Sequence, residues 1–151
     1  MNNSKEFAAK LQDVELARCL LEQENLNLVI VKARQVLTTS KKEGIYPLFE
    51  AILDKGSSLY GAAIADKVMG APVAMLCIYA QITSVYAGIA SKGALAMLRG
   101  QGVNVISKNV VPYILNHEGT DLCPFEKLAQ SVSSPSQFFS VLESFFAEGN
   151  Q

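Results

Sequence analysis

Two short segments hold most of the side chains with chemical potential: Ala65-Asp66-Lys67-Val68-Met69-Gly70 in mid-chain and Leu122-Cys123-Pro124-Phe125-Glu126-Lys127-Leu128 near the end. Both read as helix starts, where unsatisfied backbone N–H groups favour anions and thiolates. In the first, Asp66 is a candidate base or ligand anchor, and Lys67 a candidate binder of phosphate or carboxylate. A carboxylate in a first turn also stabilises a bare helix by ~0.3–1 kcal/mol, so Asp66 has a structural reading too. A lysine there opposes the helix dipole, so Lys67 either faces a ligand or pairs with a neighbour. In the second segment Cys123 is a candidate nucleophile, because a thiol at a helix start is readily acidified, and Glu126 is a candidate base. Cys123 as cap, Pro124 in the first turn and Glu126 two residues later equally make a helix-start signature that needs no chemistry.

Other groups are weaker candidates. His117, the one histidine, lies in the polar loop of residues 116–121 and reads as solvated. Asp66, Glu118, Asp121 and Glu126 offer oxygen donors, but their spacing matches no known cation cage. Gly88, Gly93, Gly100 and Gly102 do not have the spacing of a phosphate loop. Met69, Met75 and Met97 fall on apolar faces and read as core filler. Tyr60 and Tyr86 either border a pocket or sit half-buried on strands and interfaces. No metal and no cofactor is expected.

The composition narrows the classes of partner. The chain has 151 residues, half of them hydrophobic and 18% charged, enough for one domain over 1–151 with a full core. Thirteen basic residues against fourteen acidic ones give a net charge of −1, and no basic stripe interleaved with aromatics appears, which argues against nucleic acid. The longest uncharged apolar stretch, residues 68–80, is well short of the ~20 needed to cross a membrane. Cys19, Cys77 and Cys123 are odd in number and far apart, as reduced thiols in a cytoplasmic protein would be. The first residues lack the pattern of a secretion signal.

The elements that must position these side chains follow from periodicity and caps. Phe7, Leu11, Val14, Ala17 and Leu21 mark an amphipathic helix over 4–24, with Asn3 and Glu6 as its capping box. Residues 28–31 and 36–38 read as a hairpin, and Pro47 opens a helix that stops at Gly56. Residues 61–80 read as one long helix that Pro72 kinks or restarts. Residues 85–89 are a strand, Ser91 caps a short helix over 94–99, and residues 103–106 are a strand parallel to the first. Residues 111–115 add an extended segment. Ser134, Pro135 and Gln137 open a last helix over 134–147, with Phe138, Leu142, Phe145 and Phe146 turned to the core. The result is an α/β fold, a three-layer α/β/α sandwich with a mixed sheet. Ligands of such sheets bind beyond the carboxyl ends of parallel strands, which points here to Asp66 and Lys67 on one helix start and Ser91 and Lys92 on another.

Several landmarks recur together in a known family. Gly61-Ala62 precedes the Asp66-Lys67 segment, and Val85-Tyr86-Ala87 leads to Ser91. Tyr113-Ile114-Leu115-Asn116 then comes before the Cys123 segment. In this order and spacing they resemble the bacterial and archaeal family called domain of unknown function 1893, over about 14–146. That resemblance implies a cytidine-deaminase-like fold; the polar side chains gathered at the helix starts and the adjoining loop make Asp66, Lys67, Ser91, Lys92, Asn116 and Cys123 the candidate ligand contacts. The chain departs from the family in having Ala71-Pro72-Val73-Ala74 where a lysine and alanines are usual, and His117 where a basic residue is usual. A zinc deaminase needs His or Cys with a nearby Glu at one helix start and Pro-Cys-x-x-Cys at the next. The chain offers Asp66-Lys67-Val68 and Ala90-Ser91-Lys92 instead.

Three functional readings follow. The leading one is a zinc-free protein of this fold that binds a small polar, nucleotide-like ligand. The second is an enzyme of different chemistry that uses Cys123 or Lys67 as nucleophile and Asp66 or Glu126 as base. The third is a structural or regulatory subunit that assembles as a homo-oligomer, dimer or tetramer.

Overall fold

The computed structural model describes residues 3–149, and the side chain of Asn3, expected to cap the first helix, lies outside the described residues. The chain runs α1 (Asn3–Gln23), β1 (Leu28–Lys32), β2 (Gln35–Ser40), α2 (Tyr46–Lys55), a 3-10 turn (Gly56–Leu59), β3 (Ala63–Met69) and α3 (Ala71–Tyr79). It continues through β4 (Ser84–Ser91), α4 (Lys92–Gly100), β5 (Asn104–Val111), α5 (Pro124–Gln130) and α6 (Pro135–Ala147). The five strands form one mixed sheet in the order β2-β1-β3-β4-β5. Strands β3, β4 and β5 are parallel, while β1 runs antiparallel to both β2 and β3. Each parallel step is bridged by one helix, α3 or α4, as parallel pairing requires.

The three-layer reading holds. Helix α1 lays Val14, Ala17 and Leu21 on Val29, Val31, Ala63, Ala65 and Tyr86 of one sheet face. On the other face a larger core joins Ile30, Ile64 and Val85 to Leu48 and Phe49 of α2, Leu76 of α3, Leu98 of α4 and Phe138 of α6. Within this core Tyr79 stacks on Phe139 with ring centroids 4.4 Å apart, and Tyr46 meets Phe146 edge-on at 4.8 Å. Phe125, at the start of α5, packs edge-on against Phe145 at 5.5 Å, which fixes α5 to α6.

The β1–β2 hairpin forms as expected, but without glycine in its turn. Ala33 and Arg34 take φ of 49° and 64°, the left-handed pair that a tight hairpin demands. The buried Asp13 of α1 accepts both turn N–H groups, from Ala33 at 3.1 Å and from Arg34 at 2.8 Å, which holds this costly geometry in place.

One expected element is wrong, and it matters most. Residues 61–80 are not one helix: Ala63–Met69 is the central strand β3, and the helix begins only at Ala71. A strand covered on both faces carries apolar residues consecutively, so its period of two is hidden and the run mimics a buried helix. Pro72 does not kink a helix interior. It stands in the first turn of α3, where its missing N–H has no intrahelical partner to lose. Asp66 and Lys67 are therefore strand residues near the carboxyl end of β3, not the start of a helix.

The other starts stand where expected. Ser91 caps α4 by accepting from Ala94 N at 3.1 Å, and Ser134 caps α6 by accepting from Gln137 N at 3.1 Å. The extended segment expected at 111–115 is reduced to the last residue of β5 and an isolated bridge from Leu115 to Leu122.

Candidate functional site

A cleft of about 760 Å³ opens at the carboxyl end of β3. Its floor is the strand end at Asp66 and Val68 with Leu28 of β1 alongside. Its walls are the segment leading into α2, the start of α3, and the loop from Ile114 to the first turn of α5. Most of the inner wall is apolar, including Ile45, Leu48, Val73 and Phe125.

Asp66 is the most unusual group in it. Side chains alternate along a strand, so Asp66 shares the face of Ile64 and points toward the main core. It is 9% exposed, with Leu28 paired on one side and Ala87 on the other. Oδ1 accepts from Val68 N at 3.2 Å. Among the described residues no cation pairs with it. Burial pushes its pKa up to about 7, against a smaller lowering by the N–H groups of Val68 and Lys67. Cys77 of α3 is fully buried, and burial together with the nearby Asp66 charge pushes its thiol far above the usual range.

Glu126 is the second buried acid of the cleft, at 8% exposed. The expected capping box on its own helix does not form. Glu126 Oε1 instead accepts from Ala71 N at 3.1 Å, so the carboxyl covers the start of α3. Gly70 makes this contact fit: a Cβ at that position would lie 1.9 Å from Glu126 Oε1. Burial raises the Glu126 pKa, and the bond from Ala71 opposes the rise. Cys123 does occupy the cap position of α5, but its side chain accepts no cap hydrogen bond.

The remaining candidates separate. Lys67 borders the cleft, yet its Nζ donates to Asn25 Oδ1 at 3.1 Å, so it is not the partner of Asp66. Asn116 lines the rim with its side chain engaged in its own loop, where Oδ1 accepts from Thr120 N at 3.1 Å. Asp121 pairs with Lys127. His117 stands at the mouth, 93% exposed, with Nε2 4.0 Å from Glu43. Ser91 and Lys92 do not line the cleft: Ser91 is buried as the cap of α4, and Lys92 is exposed. Tyr86 faces α1, where its hydroxyl donates to Glu22 at 2.9 Å, and Tyr60 lies outside the cleft as well. Lys42, Glu43 and Gly70 are cleft residues that sequence patterns do not single out. Only the proline two places after Gly70 hinted that a helix start, and hence a strand end, lay there.

The zinc site that the fold resemblance implies does not fit these residues. Helix α3 opens with Gly70-Ala71-Pro72 and α4 with Ser91-Lys92-Gly93, so neither start offers an imidazole or thiol. Cys77 is sealed in the core, and among the described residues no three His, Cys, Asp or Glu side chains gather as a metal would require. Among the described residues no base is hydrogen-bonded to the Cys123 thiol, and the His117 imidazole is turned to Glu43.

The raised pKa of Asp66 has a consequence for stability. The folded state holds a proton between about pH 4 and 7 that the unfolded state has released, so stability falls as pH rises through that window. Glu126 acts in the same direction. Urea unfolding at pH 5 and pH 8 is expected to show the natural protein weaker at pH 8. Asp66→Asn should remove most of that loss, on the order of 3 kcal/mol. Equal pH dependence in the two proteins would contradict the burial assigned to Asp66.

The comparisons with known proteins agree with the architecture. A family model described as a domain of unknown function (DUF1893) matches residues 16–146. The crystal structure of a DUF1893 family protein from Thermotoga maritima is similar at a TM-score of 0.79 and 25% identity, covering 88% of this chain and 89% of that one. A bifunctional diaminohydroxyphosphoribosylaminopyrimidine deaminase and 5-amino-6-(5-phosphoribosylamino)uracil reductase from T. maritima is similar at a TM-score of 0.44 and 18% identity, covering 81% of this chain and 40% of that one. The dCMP deaminase of cyanophage S-TIM5 has a TM-score of 0.43 and 14% identity, with 74% of this chain and all of that one covered. No curated protein matches the chain. The matched segment runs from within α1 into α6 and spans the whole sheet and every wall of the cleft: the chain belongs to the DUF1893 family.

Proposed function

We propose that this protein binds a small polar molecule in the cleft at the carboxyl end of β3, without a zinc ion. One observation carries the reading. An apolar-walled cleft large enough for a small molecule has a nearly buried, charge-unpaired carboxyl in its floor. A carboxyl in that position is costly to the fold, and such costs are characteristic of sites that act on a ligand. The position at the end of a parallel strand, beside a helix start, is where sheets of this kind hold ligands. The missing donors at the starts of α3 and α4 support zinc independence. Three free cysteines support a reducing, cytoplasmic setting.

Cys123 lines the same cleft and supplies a reporter for occupancy. Iodoacetamide should modify Cys123 in the native protein and spare Cys77, which is fully buried. A panel of nucleosides, nucleotides, amines, amidines and small anions is then screened by titration calorimetry and by protection of Cys123. A compound that binds and slows alkylation at Cys123 supports the reading. Binding by none of them, with Cys123 labelled at one rate throughout, contradicts it.

Self-association is a further part of this reading. Helix α1 packs on β1, β3 and β4, while Ile106 and Val110 of β5 are half-exposed, with Phe7 and Leu11 of α1 also exposed. A free edge strand with an apolar face supports pairing with a second copy. Light scattering should give the mass of a dimer or tetramer; a monomer at micromolar concentration would refute it.

A further inference from the structure

The chemical class of the ligand follows from which charges the fold has already satisfied, given the binding reading above. Three features would recommend an anion, and each is already engaged. Lys67 donates to the neutral Asn25 amide and keeps its charge at the cleft border. The start of α3 already carries a carboxylate, since Glu126 sits over Gly70 and accepts from Ala71 N. The capped start of α4 does not line the cleft. Acids are in excess: Asp66 and Glu126 inside, Glu43 and Glu118 at the rim, against Lys42, Lys67 and a His117 turned to Glu43.

Asp66 supplies the direction. One of its oxygens takes a backbone N–H, and no cation or side-chain donor among the described residues reaches the carboxyl. A carboxylate in apolar surroundings is stable only when an opposite charge arrives with matching hydrogen bonds. A planar N–C–N cation offers two parallel N–H donors to a carboxylate, the strongest such match available to a small molecule.

We infer that the cleft selects a ligand with a planar, cationic amidine-type head, seated on Asp66, and an apolar body lying along Ile45, Leu48, Val73 and Phe125. Phosphate and carboxylate ligands are disfavoured by the acids that line it. Ion pairing on Asp66 displaces its proton, so binding is coupled to pH. The titratable groups around Asp66 are Cys77 from α3 and, around the cleft, Lys67, Glu126, Lys42, Glu43, His117, Glu118 and Cys123; the adjoining positions on β1 and β4 are Leu28 and Ala87.

The test uses benzamidine with its neutral and anionic counterparts, benzamide and benzoate, and inorganic phosphate, by calorimetry in buffers of different ionisation enthalpy. Benzamidine should bind at least roughly tenfold more tightly than the other three. It should release about one proton per site at pH 6 and almost none at pH 8.5. Asp66→Asn should weaken it by roughly tenfold or more and abolish the proton release, while Glu143→Gln, exposed on α6 and outside the cleft lining, leaves affinity unchanged. Absence of benzamidine binding overturns the inference, as does tighter binding of benzoate or phosphate, or unchanged benzamidine affinity in Asp66→Asn. If an anion or neutral compound binds and protects Cys123, this inference fails and the binding reading stands. If nothing in the wider panel protects Cys123, both fail.

Discussion

A carboxyl group taken out of water without a counter-charge is the constraint around which this molecule is arranged. Asp66 lies on the central strand, flanked by Leu28 and Ala87, under helices that face it with apolar side chains and the Cys77 thiol. Ionising it there costs free energy that the N–H groups of Val68 and Lys67 recover only in part. An apolar residue of similar size would serve the fold better at this point. The carboxyl is tolerable because the cleft brings it within reach of whatever enters, and because it can hold a proton when nothing does.

Glu126 shows the opposite use of a buried acid. Its carboxyl satisfies a backbone N–H at the start of α3, which Gly70 and Ala71 have no side-chain means of capping. In doing so it ties α5 to the end of β3 across the cleft. Phe125, one residue earlier, locks the same helix onto Phe145 of α6. The wall that carries Cys123 is thus held from both sides, and its position depends on a glycine that lets an oxygen approach where a methyl would stand. One acid completes the structure. The other is left to the ligand.

Much of this was legible in the chain itself, wherever the signal was local. Ser91 and Ser134 announce their helices through hydroxyl caps, Pro47 and Pro135 stand in first turns, and the β-branched run before Ala33 declares the hairpin. That Asp66, Asn116 and Cys123 would lie near one another was expected from polar side chains at helix starts and the loop before Cys123, and all three line one cleft. Strand β3 was not, because burial on both faces removes the alternation by which a strand is recognised. That single misreading moved Asp66 and Lys67 from a strand to a helix start, and made an anion the natural ligand. The bond from Ala71 to Glu126 spans fifty-five residues of chain and has no local signature at all.

The account rests on the state of one side chain, which carboxyl NMR reads directly. A titration of the protein labelled with ¹³C at aspartate side chains, assigned through Asp66→Asn, should show the Asp66 resonance moving with a midpoint near pH 7, as its burial requires. A midpoint near 4, within the range of a solvated aspartate, would mean that the group is neither desolvated nor unpaired, and the account would be wrong.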